Sequence, residues 1–330
     1  MASMKDVARL AGVSVSTVSR VISGAMRVEE PTKKKVEEAI RKVNYKPNLL
    51  AQGLRIKNGK MIGLIVPEIN HPSFVNIINY TEKYAAEKSL NLVLCNTYND
   101  PEKSANAFDQ LLRRNINGII LSRVSDESQV KNLISNTNTP VIIIDRALDH
   151  EDVPNIILNN YKAGQLAAEH LIKSGRKRIA CITGSQKIRL VRERLNGFRD
   201  ILQKHGIALE HKNIFEGDFS FKTGEQAARF FLELNSEIDS VWAQSDLIAA
   251  GLITAFQRAG KNIPEDISVI GMDNITQSTM MYPTITTIIQ PYEDMCRKAI
   301  EVIDTLTEDE KLEKTNFIFE PELIVRESAP

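Results

Sequence analysis

Val15, Ser16, Thr17 and Arg20 fall within six residues and combine a small apolar surface, two hydroxyls and one guanidinium. These are groups that read base-pair edges. A guanidinium fork donates to guanine O6 and N7, a hydroxyl serves several bases, and an apolar branch meets the thymine methyl. Thr17 is at least as well suited to a phosphate oxygen. Such groups need a rigid element to present them, and the neighbouring residues supply one. Val18, Val21 and Ile22 recur at spacings of three and four, which predicts a short helix with the four polar-side candidates on its outer face. Ser14 is a good N-cap for that helix, because its hydroxyl accepts an orphan backbone N–H. Upstream, Val7, Leu10 and Ala11 fall on one face of another short helix, and Gly12-Val13-Ser14 turns between the two. The pair reads as a helix-turn-helix whose second member enters the major groove of DNA.

A third helix is expected around Val36, Ala39, Ile40 and Val43, with Pro31 in its first turn and Asn44 at a left-handed C′ position. Three helices in so few residues make a module of low intrinsic stability. Asn48 then caps a marginal helical segment, Leu49 to Arg55, weakened by Gly53 and broken by Lys57-Asn58-Gly59-Lys60. On composition alone this segment reads as a linker that folds only when something docks on it.

The chain of 330 residues carries 42 Lys+Arg and 42 Asp+Glu, a net charge of zero. That zero is a cancellation. Residues 1–60 hold 13 basic against 5 acidic residues (+8), which leaves 29 against 37 (−8) for residues 61–330. A basic head on an acidic body fits a phosphate-binding module joined to something else. Cys95, Cys181 and Cys296 are dispersed and lack metal-ligand spacing, so they read as reduced cysteines in a cytoplasmic protein. An apolar leader and long apolar runs are both absent from the sequence, so neither secretion nor membrane insertion is expected.

From Met61 onward, apolar runs alternate with amphipathic stretches. Strands are expected at 62–66, 92–95, 118–121, 141–144, 156–158, 179–182, 240–243, 267–271, 287–289 and 323–326. Helical patterns such as 73–89, 162–174, 192–205, 222–234 and 247–259 lie between many of them. That rhythm implies right-handed crossovers and parallel sheets covered on both faces. The number of strands is better divided between two α/β lobes than placed in one sheet. A ligand then belongs between the lobes, at the carboxyl ends of the strands.

The chain resembles the LacI/GalR family of bacterial transcription regulators over its full length. The residues that carry the resemblance are Lys5-Asp6-Val7-Ala8 with Val13-Ser14-Val15-Ser16-Thr17-Val18-Ser19-Arg20-Val21, and Asn44-Tyr45-Lys46-Pro47-Asn48. They continue with Ile62-Gly63-Leu64-Ile65-Val66-Pro67, Asp145-Arg146, Arg192-Glu193-Arg194, Gly217-Asp218-Phe219, Pro264 to Asn274, and Gln290-Pro291. The resemblance implies an all-α helix-turn-helix head (1–46), a hinge helix and linker (47–60) and an α/β core of two Rossmann-like lobes (61–330), as in periplasmic binding proteins. Lobe 1 would span about 61–160 and 290–318, and lobe 2 about 161–289 and 319–330. The implied function is a sequence-specific repressor controlled allosterically by a small ligand, a sugar or sugar derivative, with no cofactor and no catalytic residue.

The resemblance assigns base contacts to Val15, Ser16 and Arg20, and backbone contacts to Lys5, Thr17 and Lys46. Leu54 would wedge into the minor groove, with Arg55 beside it. Effector contacts would come from Phe74, Leu190, Arg194, Phe219, Ser245, Asp273 and Gln290. Arg194 and Asp273 facing each other across a cleft would suit adjacent sugar hydroxyls. Ser245 stands where relatives usually carry Asn, and Ile188 and Leu190 stand where sugar-binding relatives often have Ser or Thr. Glu29 replaces a common Ser N-cap. The expected partners are a second copy of the chain, double-stranded DNA with a pseudo-palindromic operator, and a small effector. Some relatives also use a phosphorylated carrier protein as corepressor, which leaves that partner open. A leucine-rich tail is missing after the last strand, which favours a dimer over a tetramer.

An α/β enzyme or an unregulated solute-binding protein are the competing classes. Against the enzyme, the sequence contains no phosphate-loop lysine motif, no nucleophile elbow, no H-E-x-x-H and no G-x-G-x-x-G after a strand. Its five histidines are dispersed and read as surface or core residues. Replacing Arg20 with Ala is expected to cost ~1–3 kcal/mol of operator binding and to relax specificity at one position. A titration showing equal losses on operator and random DNA would make Arg20 a phosphate contact only.

Overall fold

The computed structural model describes residues 3–23, 28–45, 60–122, 127–150, 152–233, 237–308 and 310–330. The head contains α1 (Met4–Ala11), α2 (Val15–Ser23) and α3 (Glu30–Lys42). They close over Val7, Ala8, Val18, Val36 and Ala39, with Ala11, Val21, Ile22, Ile40 and Val43 packed against them. Leu10 departs from the expected face and is 52% exposed. Helix α1 meets both neighbours with the arc Val7–Ala11–Ala8, which spans about 100° of the helix, and Leu10 falls about 60° outside it. Ser3 and Asp6 form a reciprocal capping box at the start of α1. Gly12 ends that helix at φ 67°, a left-handed conformation that glycine adopts without strain. Asn44 follows α3 at φ 46°. Helix α3 has Pro31 in its first turn, and Glu29 makes no side-chain cap there. The proposed hinge segment, with Lys46, Leu54 and Arg55, lies outside the described residues.

In the core, β1 (Met61–Val66), α4 (Pro72–Glu87), β2 (Asn91–Asn96), α5 (Pro101–Leu112), β3 (Gly118–Leu121), α6 (Glu127–Ser135), β4 (Val141–Ile144) and β5 (Asn155–Leu158) come first. They are followed by α7 (Asn160–Lys173), β6 (Ile179–Thr183), α8 (Arg189–Lys204), β7 (Ile214–Glu216), α9 (Phe221–Glu233), β8 (Ser240–Ala243), α10 (Asp246–Arg258), β9 (Ser268–Met272), the short α11 (Gln277–Met280) and β10 (Thr286–Ile289). Helix α12 (Tyr292–Thr307) and the strands β11 (Asn316–Phe319) and β12 (Glu322–Ile324) complete the chain. One six-stranded sheet runs β11-β5-β4-β3-β1-β2, and the other runs β12-β10-β9-β8-β6-β7. All described pairings are parallel except β12 with β10. The chain passes between the sheets after β5, after β10 and after β11.

Both faces of each sheet are covered, which is why the strands read as unbroken apolar runs. In β1, Ile62, Leu64 and Val66 pack under α4 and α12, whereas Ile65 faces the α5 side. In β8, Val241 and Ala243 face α9 and α10, while Trp242 faces α7 and α8. Strands β7 and β11 were not anticipated from the sequence. They are edge strands of three and four residues, half exposed, and too short to show a period.

Helices α7 and α8 cross at their backbones. A Cβ on Gly164 would lie 2.0 Å from the Arg194 carbonyl oxygen, and one on Gly197 would lie 1.9 Å from that of Tyr161. Gly224 and Gly251 bring α9 and α10 together in the same way on the other face. Overpacking a contact of this kind is strongly resisted, because rigid backbone has to move. Gly197→Ala is expected to destabilise the core by about 1–3 kcal/mol. Urea unfolding followed by the fluorescence of Trp242, whose ring lies 4.8 Å from that of Phe198, would measure it. An unchanged midpoint would show that the crossing has slack.

Candidate functional site

A cleft of about 760 Å³ opens between the two lobes at the carboxyl ends of the strands. Residues after β1, β2 and β4 line one wall, among them His71, Phe74, Asn99, Asp145 and Arg146. Residues after β6, β7, β8 and β9 line the other, including Ile188, Leu190, Arg194, Phe219, Gln244 and Asp273. Gln290 and Tyr292 lie where the chain returns from the second sheet to the first.

Arg194 projects from the first turns of α8, where its side chain is almost fully buried. Its Nε donates to Asn160 Oδ1 at 2.8 Å and its Nη1 to the Gln244 carbonyl at 3.4 Å. Asn160 is itself anchored, since its Nδ2 donates to the Leu158 carbonyl at 3.1 Å. The guanidinium is thus aimed by partners in its own lobe. Asp273 follows β9 and accepts from Gln290 Nε2 at 2.5 Å. Burial raises the pKa of Asp273, and the charges of Arg194 and His71 oppose the shift. The backbone here is strained. Asp145, Asp273 and Asn274 have φ of 75°, 106° and 52°, values that side chains larger than glycine adopt at a cost.

Behind Asp273, Asp246 opens α10 and is completely buried. Thr287 Oγ1 donates to one of its carboxylate oxygens at 2.6 Å, and the Ile275 N–H donates to the other at 2.9 Å. Burial, followed by the nearby Asp273, raises its pKa well above the usual carboxylate range. The Thr287 and Ile275 hydrogen bonds and Arg326 act the other way. At the rim Asp218 behaves oppositely. Hydrogen bonds from Ser220 and Thr223 hold its carboxyl below the ordinary value.

Of the seven residues considered for effector contact, Phe74, Leu190, Arg194, Phe219, Asp273 and Gln290 line the cleft. Ser245 does not. It is buried and accepts the Leu247 N–H at 3.2 Å, so its hydroxyl is spent on capping α10. Gln244, one residue earlier, faces the cleft instead, and His71 also lines it rather than serving as a surface or core histidine. Both positions follow the carboxyl end of a strand, so the strand-end rule would have found them. Asn160 was missed because its role depends on a helix crossing. The Phe219 ring rests on Gly184, where a Cβ would come within 2.5 Å of it.

In the head, Ser14 Oγ accepts the Thr17 N–H at 3.1 Å and lies 2.7 Å and 2.8 Å from the Ser16 and Thr17 hydroxyls. Val15, Ser16 and Arg20 are exposed on α2, as is Lys5 on α1. Among the described residues, no three His, Cys, Asp or Glu side chains cluster as a metal site, and no helix is long and apolar enough to cross a membrane.

Residues 3–48 match the family described as bacterial regulatory proteins, lacI family. Residues 59–314 match periplasmic binding proteins and sugar binding domain of LacI family. The chain belongs to the LacI family of bacterial transcriptional regulators. It is 35% identical to the HTH-type transcriptional repressor PurR of Actinobacillus pleuropneumoniae, over 99% of this chain and 98% of that one. Among solved structures, the Lac repressor dimer bound to operator and the anti-inducer ONPF superposes with a TM-score of 0.91 at 27% identity, covering 99% of both chains. The transcriptional regulator CelR–cellobiose complex matches at 0.76 and 28%, covering 99% of this chain and 100% of that one. These LacI-family relatives are repressors and regulators, not enzymes.

The raised pKa of Asp246 predicts a pH dependence of stability. A carboxyl whose folded pKa lies above its unfolded value contributes no penalty below the unfolded value. Stability is lost as pH rises from there through the folded pKa. Asp246→Asn, which retains an acceptor for the Ile275 N–H, is expected to gain on the wild type in urea unfolding as pH rises from 4 to 8. A constant gap across that range would show that Asp246 is ionised in both states.

Proposed function

We propose that this chain acts in the cytoplasm as a homodimeric repressor of a pseudo-palindromic operator, with an affinity set by a carbohydrate bound between the lobes. The supporting observation is the cleft itself. Both lobes contribute to it, and Gln290, on one of the segments joining them, is hydrogen-bonded to Asp273 on its wall. A ligand held there touches both lobes and a connection between them, so binding favours one lobe arrangement over the other. The cellobiose complex of CelR and the operator complex of the Lac repressor dimer support the two halves of the reading.

In this reading residues 1–46 form the head, 47–60 the hinge helix and linker, and 61–330 the core. Arg20, Val15 and Ser16 contact bases, Lys5, Thr17 and Lys46 contact phosphates, and Leu54 with Arg55 enters the minor groove. Arg194 and Asp273 grip adjacent hydroxyls, with Phe74 and Phe219 against the sugar faces. Lobe rearrangement shifts the subunit interface and decides whether two hinge helices can pair on DNA.

Coupling of this type changes affinity by about 5- to 150-fold and is reciprocal. A carbohydrate found by thermal shift on the full-length chain is expected to change operator Kd within that range. Operator DNA should change the carbohydrate Kd by the same factor. Arg194→Lys, which loses the planar fork, is expected to weaken the carbohydrate about tenfold or more while leaving operator binding without it unchanged. Saturating carbohydrate with no effect on operator affinity would refute the coupling.

A further inference from the structure

We propose that the effector is an uncharged polyol that enters the cleft mainly as a hydrogen-bond donor. It bears no phosphate or carboxylate and turns an apolar edge, such as a deoxy position or an alkyl glycoside, toward Ile188 and Leu190. The inference rests on the carbohydrate reading and narrows it.

The polar lining presents buried acceptors without donors, beside the His71 ring and the Ser73 hydroxyl, which are also buried without partners. Gln290 Nε2 donates to Asp273 Oδ1, which fixes the amide, because its oxygen cannot face a carboxylate. Gln290 Oε1 is then left buried with no donor. Gln244 is fixed likewise, with Nε2 turned toward the Val191 carbonyl at 3.5 Å and Oε1 buried without a donor. The Gln290 hydrogen bond to Asp273 lands on Oδ1, and the Ser73 hydroxyl also bears on this carboxyl. At Asp218 the Ser220 N–H, the Ser220 hydroxyl and the Thr223 hydroxyl all converge on Oδ1, so that Oδ2 is left for an incoming group.

Arg194 is the main donor on this wall, and its Nε and Nη1 are already engaged. Buried acceptors without donors are costly, so the fitting ligand is one that brings O–H groups to them. A phosphate or carboxylate brings only acceptors at neutral pH. It would also place negative charge in a cleft whose lining holds Glu68, Asp145, Asp218 and Asp273 against Arg146 and Arg194.

On the same wall as Arg194, Ile188 and Leu190 form an apolar edge at the start of α8. Arg192 Nη1 donates to the carbonyls of Gln186 and Lys187, both at 2.8 Å, and the Glu216 carboxylate holds the Gln186 N–H and side-chain amide at 3.1 Å and 3.0 Å. The loop after β6 is thereby locked with two of its carbonyls occupied, and it leads into the start of α8, where Ile188 and Leu190 line the cleft. Hydroxyls set against the Ile188 and Leu190 side chains would lose water without gaining partners from them.

The test uses the full-length protein and sugars of glucose, galactose, mannose and ribose configuration. Each is supplied as the parent, a methyl glycoside or deoxy form, a phosphate and the corresponding acid, together with a set of free nucleobases. Thermal shift finds the binding series and calorimetry gives its Kd values. Within that series the methyl glycoside or deoxy form is expected to bind at least as tightly as the parent, and the phosphate and acid at least tenfold more weakly. Ile188→Ser is expected to reverse the preference toward the parent. A phosphate or acid binding as tightly as the parent overturns the inference and leaves the carbohydrate reading intact. So does a parent sugar preferred over its apolar forms by the wild type. Binding by nucleobases alone, or by no sugar, overturns the carbohydrate reading and the inference with it.

Discussion

The contact on which the ligand site depends is the backbone approach of α7 and α8. Gly164 lies against the Arg194 carbonyl and Gly197 against that of Tyr161, which sets the first turns of both helices side by side. Asn160 on one helix then stands within 2.8 Å of Arg194 Nε on the other. A guanidinium on a long, flexible side chain is thus aimed before any ligand arrives, and the entropy of ordering it is charged to folding rather than to binding. The same crossing buries Phe198 against Trp242, so core packing and site geometry depend on the same two glycines.

Facing this rigid donor is a set of strained and buried acceptors. Asp273 stands at a positive φ at the end of β9 and is held by Gln290, while Asp246 is packed immediately behind it. Gly271 makes room for that second carboxyl, since a Cβ there would come within 2.1 Å of Asp246 Oδ1. Burial raises the pKa of both carboxyls and Asp273 adds to the shift of Asp246, while Arg326 opposes it at Asp246 and Arg194 and His71 oppose it at Asp273. Asp246 also reaches the Ile275 N–H, whose loop continues into α11 and the exposed Met280 and Tyr282. The cleft wall and an apolar surface patch thus share one buried polar group.

Much of this architecture was legible in the sequence because it is written in period and punctuation. Parallel strands covered on both faces give apolar runs, and Gly12, Ser14 and Asn44 mark helix ends by their backbone chemistry. What was not legible depended on contacts between segments distant in sequence. Leu10 looked like a core residue because three-residue spacing suits many helices, and only the placement of α3 shows which arc is buried. Ser245 looked like a lining residue one position from the true one, because a hydroxyl after a strand serves a cap as readily as a ligand. Strands β7 and β11 are held by partners already in their sheets and carry little pattern of their own. Asn160 has no local signature, since its value comes from a crossing that two glycines permit.

The locked loop after β6 bears on how such proteins diversify. Its backbone is held by Arg192 and Glu216, while Ile188 and Leu190 contribute only side chains to the cleft. Arg194, four residues beyond Leu190 on the same helix, is aimed by Asn160 and the helix crossing rather than by those two side chains. Substitutions there can therefore change which molecule is recognised while the fold, the guanidinium and the joining segments keep their arrangement. Ligand identity is the property of this molecule most open to evolutionary exchange, and response to a ligand is the property most firmly inherited.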